Sequence, residues 1–380
     1  MNIDGLQVFL KMNKVLYIGG FELPDKNAAA HRVLANAKLL REMGWNVSFI
    51  GVSKDVNNAP SDVCGFKSTP ILYPTGIMDW VHQILIFVNM KTILGQNPDY
   101  VVLYNFPSIA SLRILKECHK NGIKVIEDLT EWEEPQGWSF RSIIRKLDVK
   151  LRMEYCVKKM DGVIAISKFL FTKYKPYTET VLVPPLVDLE DEKWNRINIS
   201  QIAPNKVSLV YAGNAGFGKK DRLDYIIEAL DGITNVQLSV IGMTKDQYEQ
   251  GYNKIVPKDI DVVFYGRLSH EETLKAVKKA DFQMLIRDDN RKNNAGFPTK
   301  LVESMACGTP VIATLTSNIG DYLKDGYNCF IVSKDKDLKV VFSSLSNMSK
   351  TTINEMKQHC LDCLDFDYHN YKDEFLKLFK

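Results

Sequence analysis

No run of about 18 consecutive apolar residues occurs, so nothing in this chain reads as a bilayer-spanning helix. The longest greasy region, 71–94, is broken by Pro74, Gly76, Asp79, His82, Gln83 and Lys91. It reads instead as a loop leading into a buried or amphipathic helix. The opening MNIDGLQVFLKMNK has too short an apolar stretch, and no small-residue cleavage site, for a secretion signal. Charge of one sign is also scarce. Forty-nine Lys and Arg against 46 Asp and Glu leave a formal charge of +3, too little to argue for nucleic acid as a partner. The seven cysteines are an odd number spread through 380 residues, which fits reduced thiols in a cytoplasmic protein and excludes a disulfide scaffold. Cys360 and Cys363 form one CxxC beside His359, but a structural zinc needs about four ligands and no second pair is evident. Low-complexity segments and short-period repeats are absent.

What is present is ordinary globular composition, 45% hydrophobic and 25% charged, with length for about two to three domains. Short apolar runs alternate with helical segments. Lys14 to Gly20, Asn46 to Val52, Tyr100 to Tyr104, Lys124 to Ile126, Gly162 to Ile166 and Val181 to Val183 read as strands. Helices are expected over Ala28 to Met43, closed by Gly44, and over about Ser108 to Asn121. VPPLVD, Val183 to Asp188, and the polar stretch to Asn205 read as a linker. The pattern then restarts with strands at Val207 to Ala212, Gln237 to Ile241, Asp261 to Tyr265, Phe282 to Ile286 and Pro310 to Ala313. Helices are expected between them at Asp221 to Leu230, His270 to Lys279 and Thr299 to Ala306. Such alternation means βαβ units and parallel sheets. The expected organisation is an α/β domain over 13–186, a second over 187–360, and a C-terminal helix over 361–380 packing back on the first. Ligands in such folds bind beyond the carboxyl ends of strands, so the loops there are the places to search.

The richest loop is GFPTKLVESMACGTPVIAT, Gly296 to Thr314. Gly296 and Pro298 shape a turn into a helix whose first amides, around Phe297, Thr299 and Lys300, favour an anion. Lys300 and Glu303 are three apart and share a face. One reading is a phosphate seat with Glu303 accepting from sugar hydroxyls; the other is a solvent-facing Lys–Glu pair. A second loop, GNAGFGKK, Gly213 to Lys220, nearly spells a Walker A motif, but Lys220 stands where magnesium needs Ser or Thr. What remains is a glycine-rich turn presenting Lys219 and Lys220 to a phosphate without a metal. No DxD-like carboxylate pair stands at a strand end; Asp288 and Asp289 come nearest, flanked by Arg287 and Arg291. IEDLTEWEEP, Ile126 to Pro135, crowds Glu127, Asp128, Glu131, Glu133 and Glu134 after a strand, where acids can hold sugar hydroxyls. Gly19 and Gly20 permit close backbone approach at the first loop, with His31 and Arg32 on the helix after it. The segment 141–159 interleaves Arg141, Arg145, Lys146, Lys150, Arg152, Lys158 and Lys159 with Ile143, Ile144, Leu147, Leu151 and Tyr155. It suits an anionic membrane surface or a solvated helix packed on its sheet.

The phrase from Gly296 to Thr314 resembles the nucleotide-sugar site of the retaining family-4 glycosyltransferases, the GT-B group that includes glycogen synthase and many bacterial polysaccharide enzymes. DGVIAISKFL (Asp161 to Leu170), VPPLVD, YAGNAGFGKKD (Tyr211 to Asp221), VQLSVIG and VVFYGRLSHEETLKAVKKAD extend the resemblance along the chain in order. It implies two Rossmann-like domains facing across a cleft, a donor held mainly by the second, and metal-independent transfer with retained anomeric configuration. There would be no cofactor beyond a nucleotide-diphosphate sugar, UDP-linked by preference, and the acceptor would be a glycan or a lipid-linked saccharide. Glu303 then matches the glutamate that binds the nucleotide ribose, and the 297–300 amides match the diphosphate seat. Lys219 or Lys220, Lys220 by preference, is what remains of an Arg and Lys pair whose Arg position holds Asn214. Asp128 is the nearest match to a residue that faces the reacting sugar, and Asp128 and Glu131 are given positioning roles. The family pattern of two glutamates fails at its first member, which is Ala295 here; the run from Arg287 to Asn294 would hold the sugar instead. A nucleotide-sugar epimerase or hydrolase, or a binding subunit without catalysis, is the alternative.

Overall fold

The computed structural model describes residues 13–194, 206–213, 220–333, 337–345 and 347–380. It has two compact α/β units. One comprises the described residues up to Ala165 with Leu170–Val183 and Tyr371–Lys380; the other is Ile166–Phe169 with Pro184–Asn370. The second unit therefore runs on to Asn370 rather than 360. It keeps the helix Lys350–Leu361, and only the final helix, Lys372–Leu378, goes to the first unit.

The strands of the first unit are β1 Lys14–Gly19, β2 Asn46–Ile50, β3 Val52–Ser53, β4 Asp62–Val63, β5 Phe66–Ser68, β6 Ile71–Leu72, β7 Tyr100–Tyr104, β8 Lys124–Leu129, β9 Gly162–Ala165 and β10 Thr180–Leu182. Eight of them form a sheet in the order β10-β9-β8-β7-β1-β2-β5-β4, parallel except for the β4–β5 pair. β3 and β6 pair separately. β1 is buried along its length apart from Lys14, as a central parallel strand must be when both faces are covered. The first helix, Ala28–Glu42, starts where the Asn27 side chain accepts the Ala30 N–H at 2.9 Å, an N-cap that satisfies an orphan donor.

The region 71–94 is less buried than its composition suggests. It forms β6 and the short helices Ile77–Leu85 and Met90–Gly95, and Ile77 and Met78 project outward. β8 is longer than expected. It continues through Leu129, pairing Asp128 with Ile164 of β9, so Glu127 and Asp128 belong to a central strand and not to the loop after it.

The second unit holds β11 Val207–Ala212, β12 Val236–Ile241, β13 Val262–Gly266, β14 Phe282–Leu285, β15 Val311–Thr314 and β16 Cys329–Val332. All pair in parallel, in the order β13-β12-β11-β14-β15-β16. β16 and the helices Leu338–Leu345 and Lys350–Leu361 escaped the sequence reading. In each sheet the order reverses beside one strand: between β1 and β7 in the first, between β11 and β14 in the second. Such switch points open a crevice at the strand ends.

The last residues complete the first unit. The Phe379 ring packs against Trp45 and Tyr100 at centroid distances of 5.7 and 5.2 Å. The Tyr100 hydroxyl donates to the Lys380 carbonyl at 3.1 Å. A side chain at Gly162 would meet Leu378 Cδ2 at 2.7 Å, so this edge of the sheet is shaped to take the helix. Phe379→Ala empties a buried aromatic site, and the expected loss is about 3–5 kcal/mol, read as a lower urea midpoint. A loss under about 1 kcal/mol would mean that the segment is not part of this core.

Candidate functional site

The switch point of the second unit brings together residues far apart in sequence. Gly213 follows β11 and Arg287 follows β14. Between them sits Asp221, almost wholly buried. Its Oδ1 accepts from Arg287 Nε at 2.6 Å. Its Oδ2 accepts from the Tyr211 hydroxyl at 2.9 Å and from Lys300 Nζ. Its carbonyl accepts from the Tyr252 hydroxyl at 3.1 Å. The Lys300 ammonium also lies 4.2 Å from the centre of the Tyr211 ring, a cation–π contact. Thr314 fixes the backbone of Arg287, its hydroxyl accepting the N–H and donating to the carbonyl, both at 2.7 Å. The Arg222 N–H donates to the Ile286 carbonyl at 2.8 Å, tying the following helix to the end of β14. Gly213 is glycine for a local reason: its φ is 152°, and a Cβ there would run into the Lys300 ammonium.

The electrostatics follow from this geometry. Burial disfavours a charged Asp221, but the Lys300 and Arg287 charges outweigh it and hold the carboxyl well below the usual carboxylate range. Burial pulls Lys300 below the ordinary lysine value while Asp221 pushes it back up. Burial and the neighbouring Asp221 charge push the Tyr211 phenol well up, so it remains a hydrogen-bond donor. Two cations are thus anchored by one carboxylate, leaving local positive charge at the strand ends.

The Gly296–Lys300 turn lies beside this cluster. Gly296, Phe297 and Pro298 are buried and Thr299 is half-buried. Phe297 packs edge-on against Tyr322, with ring centres 5.7 Å apart. The helix Thr299–Ala306 follows Pro298, which gives it no side-chain cap. The expected Lys300–Glu303 pair does not form as a salt bridge: Lys300 turns to Asp221, and Glu303 Oε1 lies 3.3 Å from His270 Nε2. Each has its own partner, so the solvent-facing pair is not the explanation of this motif. Ala295 is fully enclosed, and its carbonyl accepts from the Ser167 hydroxyl at 2.8 Å. The polar run after Arg287 is partly folded on itself. Asn293 donates to the Asp288 carbonyl at 2.8 Å, Asn294 to Asp289 at 2.7 Å, and Asp288 accepts from Arg222 at 2.9 Å. Lys220 is half-buried near the cluster; Lys219 and the rest of the glycine-rich turn lie outside the described residues.

In the first unit the acids take different roles from those expected. Asp128 does not reach the surface. It is fully buried and accepts from Arg32 Nε at 2.9 Å, the Tyr17 hydroxyl at 2.9 Å and Asn36 at 3.3 Å. The positioning role expected of Asp128 on a sugar is therefore withdrawn; it is the counter-ion of a buried arginine. Glu131 lies beyond β8 and is half-buried, as are Glu133, which pairs with Arg145, and Glu134, so these three acids keep access to solvent and Glu131 is the one nearest the strand end. Gly20 is exposed with open space around its Cα, whereas Gly19 is the crowded one, since a Cβ there would meet Tyr104 Cβ at 2.7 Å. Glu127, buried, accepts the Phe106 N–H at 3.0 Å. Burial raises it to about 8, with Arg152 opposing.

Sequence reasoning missed Asp221, Tyr211 and His270. Asp221 stands among Lys219, Lys220 and Arg222, where an acid reads as part of a solvated charge run. Its partners are 66 and 79 positions away, and no local spacing announces them. Cys360 is buried and Cys363 half-buried, and among the described residues no group of three or more His, Cys, Asp or Glu is placed to hold a metal ion.

Residues 206–346 match the family model described as Glycosyl transferases group 1. Among curated proteins, an uncharacterized glycosyltransferase of Methanocaldococcus jannaschii is 26% identical over 218 residues, covering 54% of this chain and 56% of that protein. The chain thus spans about half the length of this relative. Among solved structures, sucrose-phosphate synthase of Thermosynechococcus elongatus superposes with a TM-score of 0.73 at 13% identity, over 97% of this chain and 98% of that one. Anabaena Alr3699/HepE, solved in complex with UDP and glucose, gives 0.64 at 12% identity over 96% and 98%. At such identities the likeness is one of fold, and the fold is GT-B, with two Rossmann-like α/β domains.

Two stability profiles test the buried charges. Asp221 is held below its ordinary value, so its contribution is present above the unfolded carboxylate pKa, about 3.9, and is lost as pH falls below that. Asp221→Asn strands two cations and is expected to cost about 3–5 kcal/mol at neutral pH. Urea midpoints should converge with the wild type's as pH drops below about 4; parallel profiles would contradict the network. Glu127 behaves oppositely. Its raised value gives stability that is present below about 4.3 and lost as pH rises through about 8. Glu127→Gln should therefore gain on the wild type across that window, and superposed curves from pH 5 to 9 would show that Glu127 is ionised throughout.

Proposed function

We propose that this chain is a glycosyltransferase. It takes a sugar from a nucleotide-diphosphate donor, UDP-linked by preference, and passes it with retained configuration to a glycan or a lipid-linked saccharide. The observation that carries the reading is the Asp221-anchored pair Arg287 and Lys300 at the ends of β11 and β14, beside the start of the helix Thr299–Ala306 and within the segment that matches Glycosyl transferases group 1. Cleaving a sugar from a diphosphate builds negative charge on the leaving oxygen, and fixed cations and amide dipoles at that point lower the barrier. The buried cations and the 297–300 amides supply that field without a divalent ion, and Lys220 or Lys219 adds a further positive charge to it.

Glu303 is the acceptor for the nucleotide's ribose hydroxyls, held by His270. That the Anabaena structure contains UDP and glucose supports a UDP donor here. Glu131 is the remaining candidate for orienting an acceptor hydroxyl. No helix among the described residues is long and apolar enough to cross a membrane. The exposed apolar and basic side chains of 141–159 support a cytoplasmic enzyme in peripheral contact with an anionic membrane. The enclosed Ala295 favours a second reading, a binding subunit without turnover.

Thermal unfolding in the presence of UDP-, GDP- and dTDP-sugars, with chelator present, tests the donor site. A UDP-sugar at about 100 times its Kd should raise Tm by roughly 5–10 °C, and Glu303→Ala should remove most of that rise. Transfer to an acceptor panel then separates enzyme from binding subunit. If no nucleotide sugar shifts Tm, or if every shift needs magnesium, the proposal fails.

A further inference from the structure

The first unit contains a cavity of about 410 Å³ beside the end of β1, lined among others by Gly20, Thr75, Trp80, Gln83, Arg141 and Arg145. Among the described residues no carboxylate is part of its lining; Asp79, behind the lining residues Thr75 and Gly76, is taken up by their N–H groups and the Thr75 hydroxyl. Arg141 and Arg145 are one turn apart on the helix Phe140–Leu151, an arrangement of like charges that is unfavourable by itself and is relieved by an anion between them. Arg141 has no carboxylate partner among the described residues; its guanidinium lies 5.4 Å from the centre of the Trp80 ring. Arg145 is steadied by Glu133 from outside the cavity.

The helices Ile77–Leu85 and Phe140–Leu151, with Trp138 just before the second, carry outward apolar side chains. Ile77 and Met78 are 74% and 78% exposed, and Trp138 and Phe140 are 87% and 78% exposed. Phe140, Leu147 and Leu151 are exposed along the helix that supplies both arginines, and Lys146 lies over the Trp138 ring at 4.6 Å. A cationic, aromatic-walled pocket is therefore flanked by elements that expose apolar and basic side chains. That combination matches an amphiphile with a phosphate at the border of its hydrocarbon tail.

We infer that this cavity receives the phosphate of a lipid-carried acceptor, with Arg141 and Arg145 as its ligands and Trp80 as the wall against which the attached group packs. The inference rests on the glycosyltransferase reading for the word acceptor, but the binding itself does not. Arginine is suited to the task because its planar fork meets phosphate oxygens two at a time.

The test uses the full chain. Flotation is measured with vesicles of phosphatidylcholine alone, with phosphatidic acid added, and with phosphatidylserine added at equal anionic charge. Tryptophan fluorescence is titrated in parallel with glucose 1-phosphate and with glucose. Binding should be strongest to phosphatidic acid vesicles, and Arg141→Gln/Arg145→Gln should weaken it at least about tenfold. The corresponding double Lys variant, which keeps charge but loses the fork, should fall between and guards against a folding defect. Vesicle binding that is equal for the two anionic lipids, or unchanged in the Gln variant, overturns the inference. So does saturable binding of glucose 1-phosphate without preference for phosphatidic acid vesicles, which would place the phosphate on a soluble molecule. The UDP-sugar Tm rise is measured on the same variants. Its persistence alongside lost vesicle binding separates this cavity from the donor site, and its absence from the wild type would sink the donor reading alone.

Discussion

A single buried carboxylate organises the second unit. Asp221 gathers an arginine, a lysine and a phenol from three separate segments, and without it Arg287 and Lys300 would be uncompensated charges in a poorly hydrated place. Burying charge is costly unless geometry and hydrogen bonding offset it; here both oxygens are used. The arrangement also explains local features that otherwise look arbitrary: a glycine at 213, a threonine at 314 clasping the Arg287 backbone, and a tyrosine near the end of β11 whose hydroxyl donates to the Asp221 carboxylate.

The first unit repeats the device with a different outcome. Tyr17 on β1 donates to Asp128 as Tyr211 on β11 donates to Asp221, and Arg32 stands where Arg287 stands in the second network. In the first unit the acid and its arginine are both closed off from solvent, and Arg32 spends a further donor on the Val183 carbonyl at 3.0 Å. In the second, Lys300 keeps part of its surface, 15% of the side chain, next to a helix start. One network is closed off from solvent; the other keeps an ammonium partly exposed beside a helix start.

Much of the architecture was legible because parallel strands buried on both faces leave dense apolar runs punctuated by glycine, as at Lys14 to Gly20 and Val207 to Gly213. Pro298 and Gly308 bracket a helix as their backbone preferences dictate. The failures have a common cause. The reading ended β8 at Ile126 because Glu127 and Asp128 are polar, yet both lie in the strand, one beside Arg152 and the other paired with Arg32, long-range partners that no local pattern reveals. Asp221 was invisible for the same reason. The acids of 126–135 were seen as a cluster, whereas the fold separates the interior Glu127 and Asp128 from Glu131, Glu133 and Glu134, which keep access to solvent. Exposure was misjudged at Ile77 and Met78, since amphipathic spacing tells that a helix has two faces but not what covers the apolar one.

The closing residues, Tyr371–Lys380, belong to the unit that begins the chain. During synthesis on a ribosome, Trp45 and Tyr100 emerge long before Phe379, and the groove at Gly162 waits unfilled while the entire second unit is made. The later unit has all of its strands in one uninterrupted stretch and can finish first. The earlier one can close its aromatic seam only once Phe379 has emerged, which leaves its edge at β10 open to chaperones and to unwanted strand pairing until then.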